Sequence, residues 1–395
     1  MLMLGLALFP QQSQATAAFD FVRHPELTNA YSKESGFGFD LGTSVTRASG
    51  GGVTSDRPFF FSAALPEGNY RVTVTFGDAL GGTTNYVKAE ARRLMLENVR
   101  TTPGQFAERQ FIVNTRTVNY PGGKVHLKPR ELTTESLLWD DKLTLEFTGP
   151  RVVLRALEIA PATNVTTVLF AGDSTVCDQP LEPWNSWGQM LPRFFDETIS
   201  VANYAESGES LKSSLGAHRF DKLFSVMRPG DFLFVQFGHN DMKDKATNAL
   251  AVYKSNLKQI VATTRAHGAT PILVTSMERK AGVNGPTLAG YPETVRDVAR
   301  EEGTALIDLN AMSVKFYQAL GGDIGLAFQD GTHHNNYGSY ELAKCVIEGI
   351  RENKLALAKH LAPDVKAFDP AKPDDVKSFY MPASPMRDTL KPDGN

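Results

Sequence analysis

At 395 residues the chain is long for one domain, and its length favours two. With 42% hydrophobic and 22% charged residues it has an ordinary globular composition, which excludes a disordered or fibrous class. The net charge is −3 and the basic residues are scattered, so nucleic acid is not an expected partner.

Residues 1–8 form a short apolar run, followed by a polar stretch and then Ala15-Thr16-Ala17, the small residues of a signal-peptidase site. No Lys or Arg precedes the run. Residues 1–17 therefore read as the remnant of a signal peptide, and the protein as secreted or periplasmic. No later stretch reaches the ~18 apolar residues of a spanning helix, so membrane insertion is not expected.

Residues 18–162 read as an all-β domain. Residues 69–76 alternate, with β-branched and aromatic side chains on one face, after the turn Pro66-Glu67-Gly68. Residues 142–147 alternate again, Gly149-Pro150 punctuates, and 152–159 follow as another strand. With no long amphipathic helix in this half, a β-sandwich is the natural architecture. The pattern resembles a galactose-binding-like jelly roll of the kind appended to carbohydrate enzymes.

A short linker, Pro161-Ala162-Thr163-Asn164, leads into residues 163–362. Here apolar strands at 166–170, 199–204, 231–237, 270–275 and 305–308 are separated by helices at 187–195, 250–267 and 292–302. Such strands argue for a parallel five-stranded sheet covered on both faces, a three-layer α/β/α domain. Residues 363–395, rich in Pro, Asp and Lys, read as an extended or poorly ordered tail.

In parallel sheets ligands bind beyond the carboxyl ends of the strands. Strand one ends at Gly172-Asp173-Ser174-Thr175, strand two leads to Asn203 through Ser210, and strand three ends at Gly238-His239-Asn240-Asp241. Late in the chain comes Asp330-Gly331-Thr332-His333-His334. These segments hold what acyl transfer needs. Ser174 is a nucleophile requiring a general base, His333 can serve as that base, and Asp330 can fix its tautomer. The N–H groups of Ser174 and Gly208 and the side-chain amide of Asn240 are candidate oxyanion donors. Glycine permits close backbone approach, and asparagine donates without bringing a charge. The bland alternatives are a helix-capping Ser174, turn roles for Gly208 and Asn240, and a metal at Asp330 and the paired histidines, for which no third ligand is nearby. Gly-x-Ser-x-Gly is absent, which argues against a nucleophile elbow. No cofactor or metal is expected.

Four such blocks in this order resemble the SGNH or GDSL hydrolases over about residues 165–350, and within them the rhamnogalacturonan acetylesterase branch. Gly172-Asp173-Ser174-Thr175-Val176, Trp187-Gly188-Gln189-Met190-Leu191, Gln236-Phe237-Gly238-His239-Asn240-Asp241 and Asp330-Gly331-Thr332-His333 carry the likeness. Glu209 stands where many relatives have arginine, and His334 where phenylalanine is common. The resemblance implies a flavodoxin-like fold and a serine esterase that removes O-acetyl groups from a plant cell-wall polysaccharide of the rhamnogalacturonan type. Asp173, Trp184, His239 and His334 are further candidates for substrate contact, and Trp187 for either stacking or core. The alternatives are an esterase for acetyl-xylan or another small ester, and a carbohydrate-binding protein with a degenerate hydrolase domain. Cys177 and Cys345 either pair or are two buried small residues.

Overall fold

Residues 16–24 and 26–393 are described in the computed structural model. The apolar run read as a signal-peptide remnant lies outside them, while Ala17, at the expected cleavage site, already opens a strand. The first half contains strands β1 (Ala17–Asp20), β2 (Phe37–Asp40), β3 (Thr46–Arg47), β4 (Val53–Thr54), β5 (Phe59–Ala64), β6 (Gly68–Phe76) and β7 (Thr83–Ala89). It continues with β8 (Arg93–Thr101), β9 (Ala107–Thr115), β10 (Asn119–Tyr120), β11 (Gly123–Lys124), β12 (Lys142–Arg151) and β13 (Leu154–Pro161). One antiparallel sheet runs β3-β4-β13-β6-β9 with β1 on β13, and a second runs β2-β5-β12-β7-β8.

The alternation read from the sequence explains why the sheets face each other. In β6, Tyr70, Val72, Val74 and Phe76 are fully buried, while the residues between them are partly exposed. They meet Phe59, Phe61, Leu143, Leu145 and Phe147 from the other sheet. Phe147 stacks on Phe59 at 5.3 Å and meets Phe76 edge-on at 6.2 Å. The predicted break at Gly149-Pro150 does not end the strand. β12 continues through it with a register shift against β7, and a bulge spares proline's missing N–H.

The second half holds β14 (Thr166–Gly172), β15 (Ile199–Asn203), β16 (Phe232–Gln236), β17 (Thr270–Val274) and β18 (Ala305–Ile307), all parallel in the order β15-β14-β16-β17-β18. Its helices are α1 (Trp187–Met190), α2 (Leu211–Gly216), α3 (Arg219–Val226), α4 (Ala249–Ala266), α5 (Tyr291–Glu302), α6 (Leu309–Leu320) and α7 (Asn336–Glu352). Alternate residues of one strand serve opposite faces. Val168 and Phe170 pack towards α1, α6 and α7, while Leu169 and Ala171 pack towards α3, α4 and α5. The result is the expected three-layer α/β/α arrangement. Strand order reverses beside β14, so the crevice beyond its carboxyl end is the natural ligand site.

Two departures have local causes. The helix expected over 187–195 is only α1 followed by a tighter turn at Leu191–Phe194, where Pro192 withdraws an N–H. Helix α7 was hidden because it is apolar or buried nearly all round and carries Gly338 and Gly349. The tail beyond residue 363 is extended as expected but packs firmly. Phe368, Val376, Phe379 and Met381 lie on the core, and residues 384–388 run beside Glu182 through Glu182 N–H to Met386 O (2.8 Å) and Asp388 N–H to Glu182 O (3.1 Å).

The two halves meet through buried charge as well as apolar contact, with Leu94 joining the core of the second half and Trp139 packing on Tyr204. Arg92 donates to Gln179 O (3.1 Å) and Trp184 O (3.0 Å) and pairs with Glu182 (2.7 Å). Arg93 pairs with Asp178 (2.8 Å) and donates to Val201 O (3.1 Å). Arg219 forms a two-pronged pair with Glu131 (3.0 and 2.6 Å).

Candidate active site

Strand β14 delivers Ser174 two residues past its carboxyl end. The turn is fixed from within: Asp173 Oδ1 accepts from Thr175 N–H (2.9 Å) and Thr175 Oγ1 (2.7 Å). Thr175 in turn accepts from Gln236 Nε2 (2.7 Å), and Trp187 Nε1 donates to Gln236 Oε1 (2.8 Å). Gln179 Nε2 holds the Ser174 carbonyl (2.6 Å). Ser174 is thereby presented on a braced turn rather than a mobile loop.

The segment before α7 brings the other partners. His333 Nε2 lies 2.8 Å from Ser174 Oγ, and His333 Nδ1 lies 2.9 Å from Asp330 Oδ2. Asp330 Oδ1 accepts from the N–H groups of Thr332 and His333, both at 2.7 Å. Burial alone would raise the Asp330 carboxyl, but His333 and these two N–H groups outweigh it and hold it well below the usual carboxylate range. Residues 159 apart in sequence thus form a serine–imidazole–carboxylate relay. Trp184, almost fully buried, stands edge-on to the His333 ring at 5.8 Å.

Gly208 and Asn240 come to the same edge. Gly208 has φ of +76°, and a Cβ there would meet the Asp393 Cβ at 2.9 Å and Lys128 Nζ at 3.3 Å, so both conformation and space require glycine. Asn240 Nδ2 donates to Glu209 O (3.0 Å), which leaves its second amide hydrogen available. Asp241, next in line, accepts from Leu211 N–H (2.9 Å) at the start of α2, and burial pushes its carboxyl up to about 7.

Three expected substrate contacts turn inward. Asp173 is fully buried and committed to the turn and to His239 Nδ1 (3.2 Å). His239 spends its other nitrogen on Met277 O (3.0 Å). His334 lies in the core, bonded to the Tyr317 hydroxyl (2.9 Å) and packed on Phe328 at 4.0 Å. Burial drives His334 down to about 3, which makes it a neutral core imidazole rather than a rim group. Trp184 and Trp187 are likewise buried, the latter in the core. Cys177 and Cys345 are both buried and unpaired.

Several residues at the site were not singled out in the sequence. Arg279, after β17, donates to Thr332 Oγ1 (2.6 Å) and His239 O (3.2 Å), which ties the His333 loop to the Asn240 loop. Lys128 from the β-sandwich half donates to Ser207 O and pairs with Glu209 (3.2 Å). Lys243 Nζ donates to Asn240 Oδ1 (2.9 Å). Among the described residues no group of three His, Cys, Asp or Glu side chains is gathered as a metal site would need. No described helix is long and apolar enough to cross a membrane. Cavities of about 490 and 570 Å³ lie beside Arg193 and Tyr340, and neither is lined by a residue of the Ser174 site.

Residues 170–339 match the GDSL-like lipase/acylhydrolase family. The chain is 35% identical over 216 residues to a rhamnogalacturonan acetylesterase of Bacillus subtilis, covering 49% of this chain and 93% of that protein. It is 28% identical over 355 residues to the uncharacterized esterase YxiM of the same organism, covering 83% of this chain and 87% of the other. A crystal structure of Bacillus subtilis YxiM aligns over 84% of this chain and 94% of that one, with 27% identity and a TM-score of 0.48. With its serine–histidine–aspartate relay at the carboxyl edge of a parallel sheet, the chain belongs to the GDSL-like lipase/acylhydrolase family and is a carboxylic ester hydrolase.

Proposed function

We propose that the protein removes O-acetyl groups from an acetylated plant cell-wall polysaccharide, with rhamnogalacturonan as its substrate class. The observation that carries the chemistry is the 2.8 Å contact between Ser174 Oγ and His333 Nε2, backed by Asp330. Ser174 Oγ attacks the acetyl carbonyl while His333 takes its proton. The tetrahedral oxyanion is met by the N–H groups of Ser174 and Gly208 and by Asn240 Nδ2. His333 then passes its proton to the sugar oxygen as the C–O bond breaks, leaving an acetyl group on Ser174. Water, deprotonated by His333, attacks the acetyl-enzyme and releases acetate and free Ser174.

The polysaccharide assignment is supported by the acetylesterase relatives and by the appended β-sandwich, and is an inference by analogy. Export from the cell is part of the same reading, since polymeric substrates lie outside it. The test is acetate release from acetylated rhamnogalacturonan and from acetylated xylan, with p-nitrophenyl acetate as control. The expected result is preferred turnover of the pectic polymer and complete dependence on Ser174. Equal turnover of both polymers would overturn the substrate class, and activity surviving Ser174→Ala would overturn the mechanism.

A further inference from the structure

The two oxyanion donors outside the Ser174 turn share an arrangement. Each belongs to an amide whose carbonyl oxygen receives a lysine ammonium. Lys128 Nζ donates to the Ser207 carbonyl, the other end of the peptide that carries the Gly208 N–H. Lys243 Nζ donates to Asn240 Oδ1, the other end of the carboxamide that carries Nδ2. The lysines reach the site from different halves of the chain. Lys128 lies in the loop that follows β11, and Lys243 in the turn after β16.

Geometry makes these contacts directional. A trans peptide is planar, with its C=O and N–H pointing to opposite sides, so a cation anchored on the Ser207 oxygen sets where the Gly208 N–H points. Gly208 has φ of +76° and no side chain to steady it, so the loop needs an external hold. Asn240 is fixed similarly: Nδ2 faces Glu209 O (3.0 Å) and Oδ1 faces the ammonium (2.9 Å), and the flipped amide would oppose both partners. Glu209 joins the two sides, its carbonyl held by Asn240 and its carboxylate by Lys128 (3.2 Å) and Arg219 (3.6 Å). A charge-assisted bond to a carbonyl oxygen also polarises the amide and strengthens its N–H as a donor. Both lysines thereby place positive charge behind donors aimed at developing negative charge.

We propose that Lys128 and Lys243 are positioning residues of the oxyanion hole, each orienting and polarising one donor amide through its carbonyl oxygen. The Lys128 contact makes the β-sandwich half part of the catalytic apparatus rather than an attached binding module. This rests on the reading above, in which Gly208 and Asn240 stabilise the oxyanion.

The test is steady-state kinetics on p-nitrophenyl acetate with the full chain carrying Lys128→Met, Lys128→Arg, Lys243→Met or the double Met change, alongside Ser174→Ala. Each single Met variant is expected to lower kcat by about tenfold, a fraction of the loss for deleting a donor outright, with KM within about twofold of the parent. The double variant is expected to depart from the product of the two, because Glu209 links both donors in one network. Lys128→Arg is expected to recover most of the lost kcat, since a guanidinium can reach the same carbonyl. Melting temperatures of the Met variants are expected to match the parent. Unchanged kcat in both Met variants, with Ser174→Ala inactive, overturns the lysine proposal alone. A loss of kcat that tracks a fallen melting temperature and is not recovered by arginine also overturns it. Activity in Ser174→Ala overturns the underlying reading instead.

Discussion

The relay arm and the proposed oxyanion arm of this site are built differently. The hydrogen bonds that fix Ser174, His333 and Asp330 come from the C-terminal half: Gln179 on the serine carbonyl, and two neighbouring N–H groups on the aspartate. The loop bearing Gly208 is gripped from both halves, by Lys128 on Ser207 and by the buried Glu131–Arg219 pair beneath it. The Gly208 loop is gripped directly from the other half, whereas the relay is reached from it only at one remove, through Arg92 on Gln179 O and Trp184 O. A change in the relay should therefore act on chemistry alone, whereas loss of the buried Glu131–Arg219 pair should couple chemistry at Gly208 to how the halves fit.

The sharpest way to break that contrast is Ser174→Ala, for which kcat should fall by about 10⁶-fold with an unchanged melting temperature. Loss of stability there would mean that the relay is not local. Asp330→Asn comes next: the imidazole would lose its carboxylate and kcat should fall by about 10⁴-fold. A stopped assay on p-nitrophenyl acetate reads both, and a fall of only a few-fold would remove Asp330 from the relay.

On the other arm, Asn240→Ala should lower kcat by about 10²–10³-fold and leave fluorophosphonate labelling of Ser174 measurable. Full activity would show that this arm has no part in the chemistry. The smallest effect concerns pH. Glu206 is fully buried, its carboxyl pushed well above the usual range by burial and then by the nearby Glu135 and Glu131 charges. Its folded form keeps a proton that the unfolded chain gives up near pH 4.5, so stability should fall as pH rises above that value. Glu206→Gln should flatten the decline in melting curves taken at pH 6 and pH 8.5. An identical pH slope in the variant would show that Glu206 carries no such proton.

Ser174 was legible because it sits in a short block directly after an apolar strand, where a parallel sheet places its ligands. Asp330 and His333 were legible from spacing, since three residues in one loop suffice to close the 2.9 Å contact. Inward and outward were not legible. His334 adjoins His333 yet turns into the core, because an extended segment sends neighbours to opposite sides. Asp173 and His239 looked like rim groups, but they spend their polar atoms on each other, on Thr175 and on Met277 O. Lys128 could not be found at all, since its partner Ser207 lies 79 residues away in the other half of the chain. The sandwich was readable from its period of two, whereas α7 leaves only a narrow stripe of Asn336, Tyr340, Lys344 and Glu348 partly exposed and is interrupted by Gly338 and Gly349.

The tail beside Glu182 has a consequence for the order in which the molecule can be assembled. Lys88 and Glu146, on the face of their sheet turned away from the sandwich core, pair at 3.3 Å but also need Pro382 O (3.0 Å) and Ser384 Oγ (2.7 Å). Ser384 leaves the ribosome 238 residues after Glu146. At typical elongation rates that is roughly ten to fifty seconds, during which a nearly finished β-domain waits with charged groups it cannot yet bury. Residues 382–384 therefore close a face of the β-domain that is synthesised well before them.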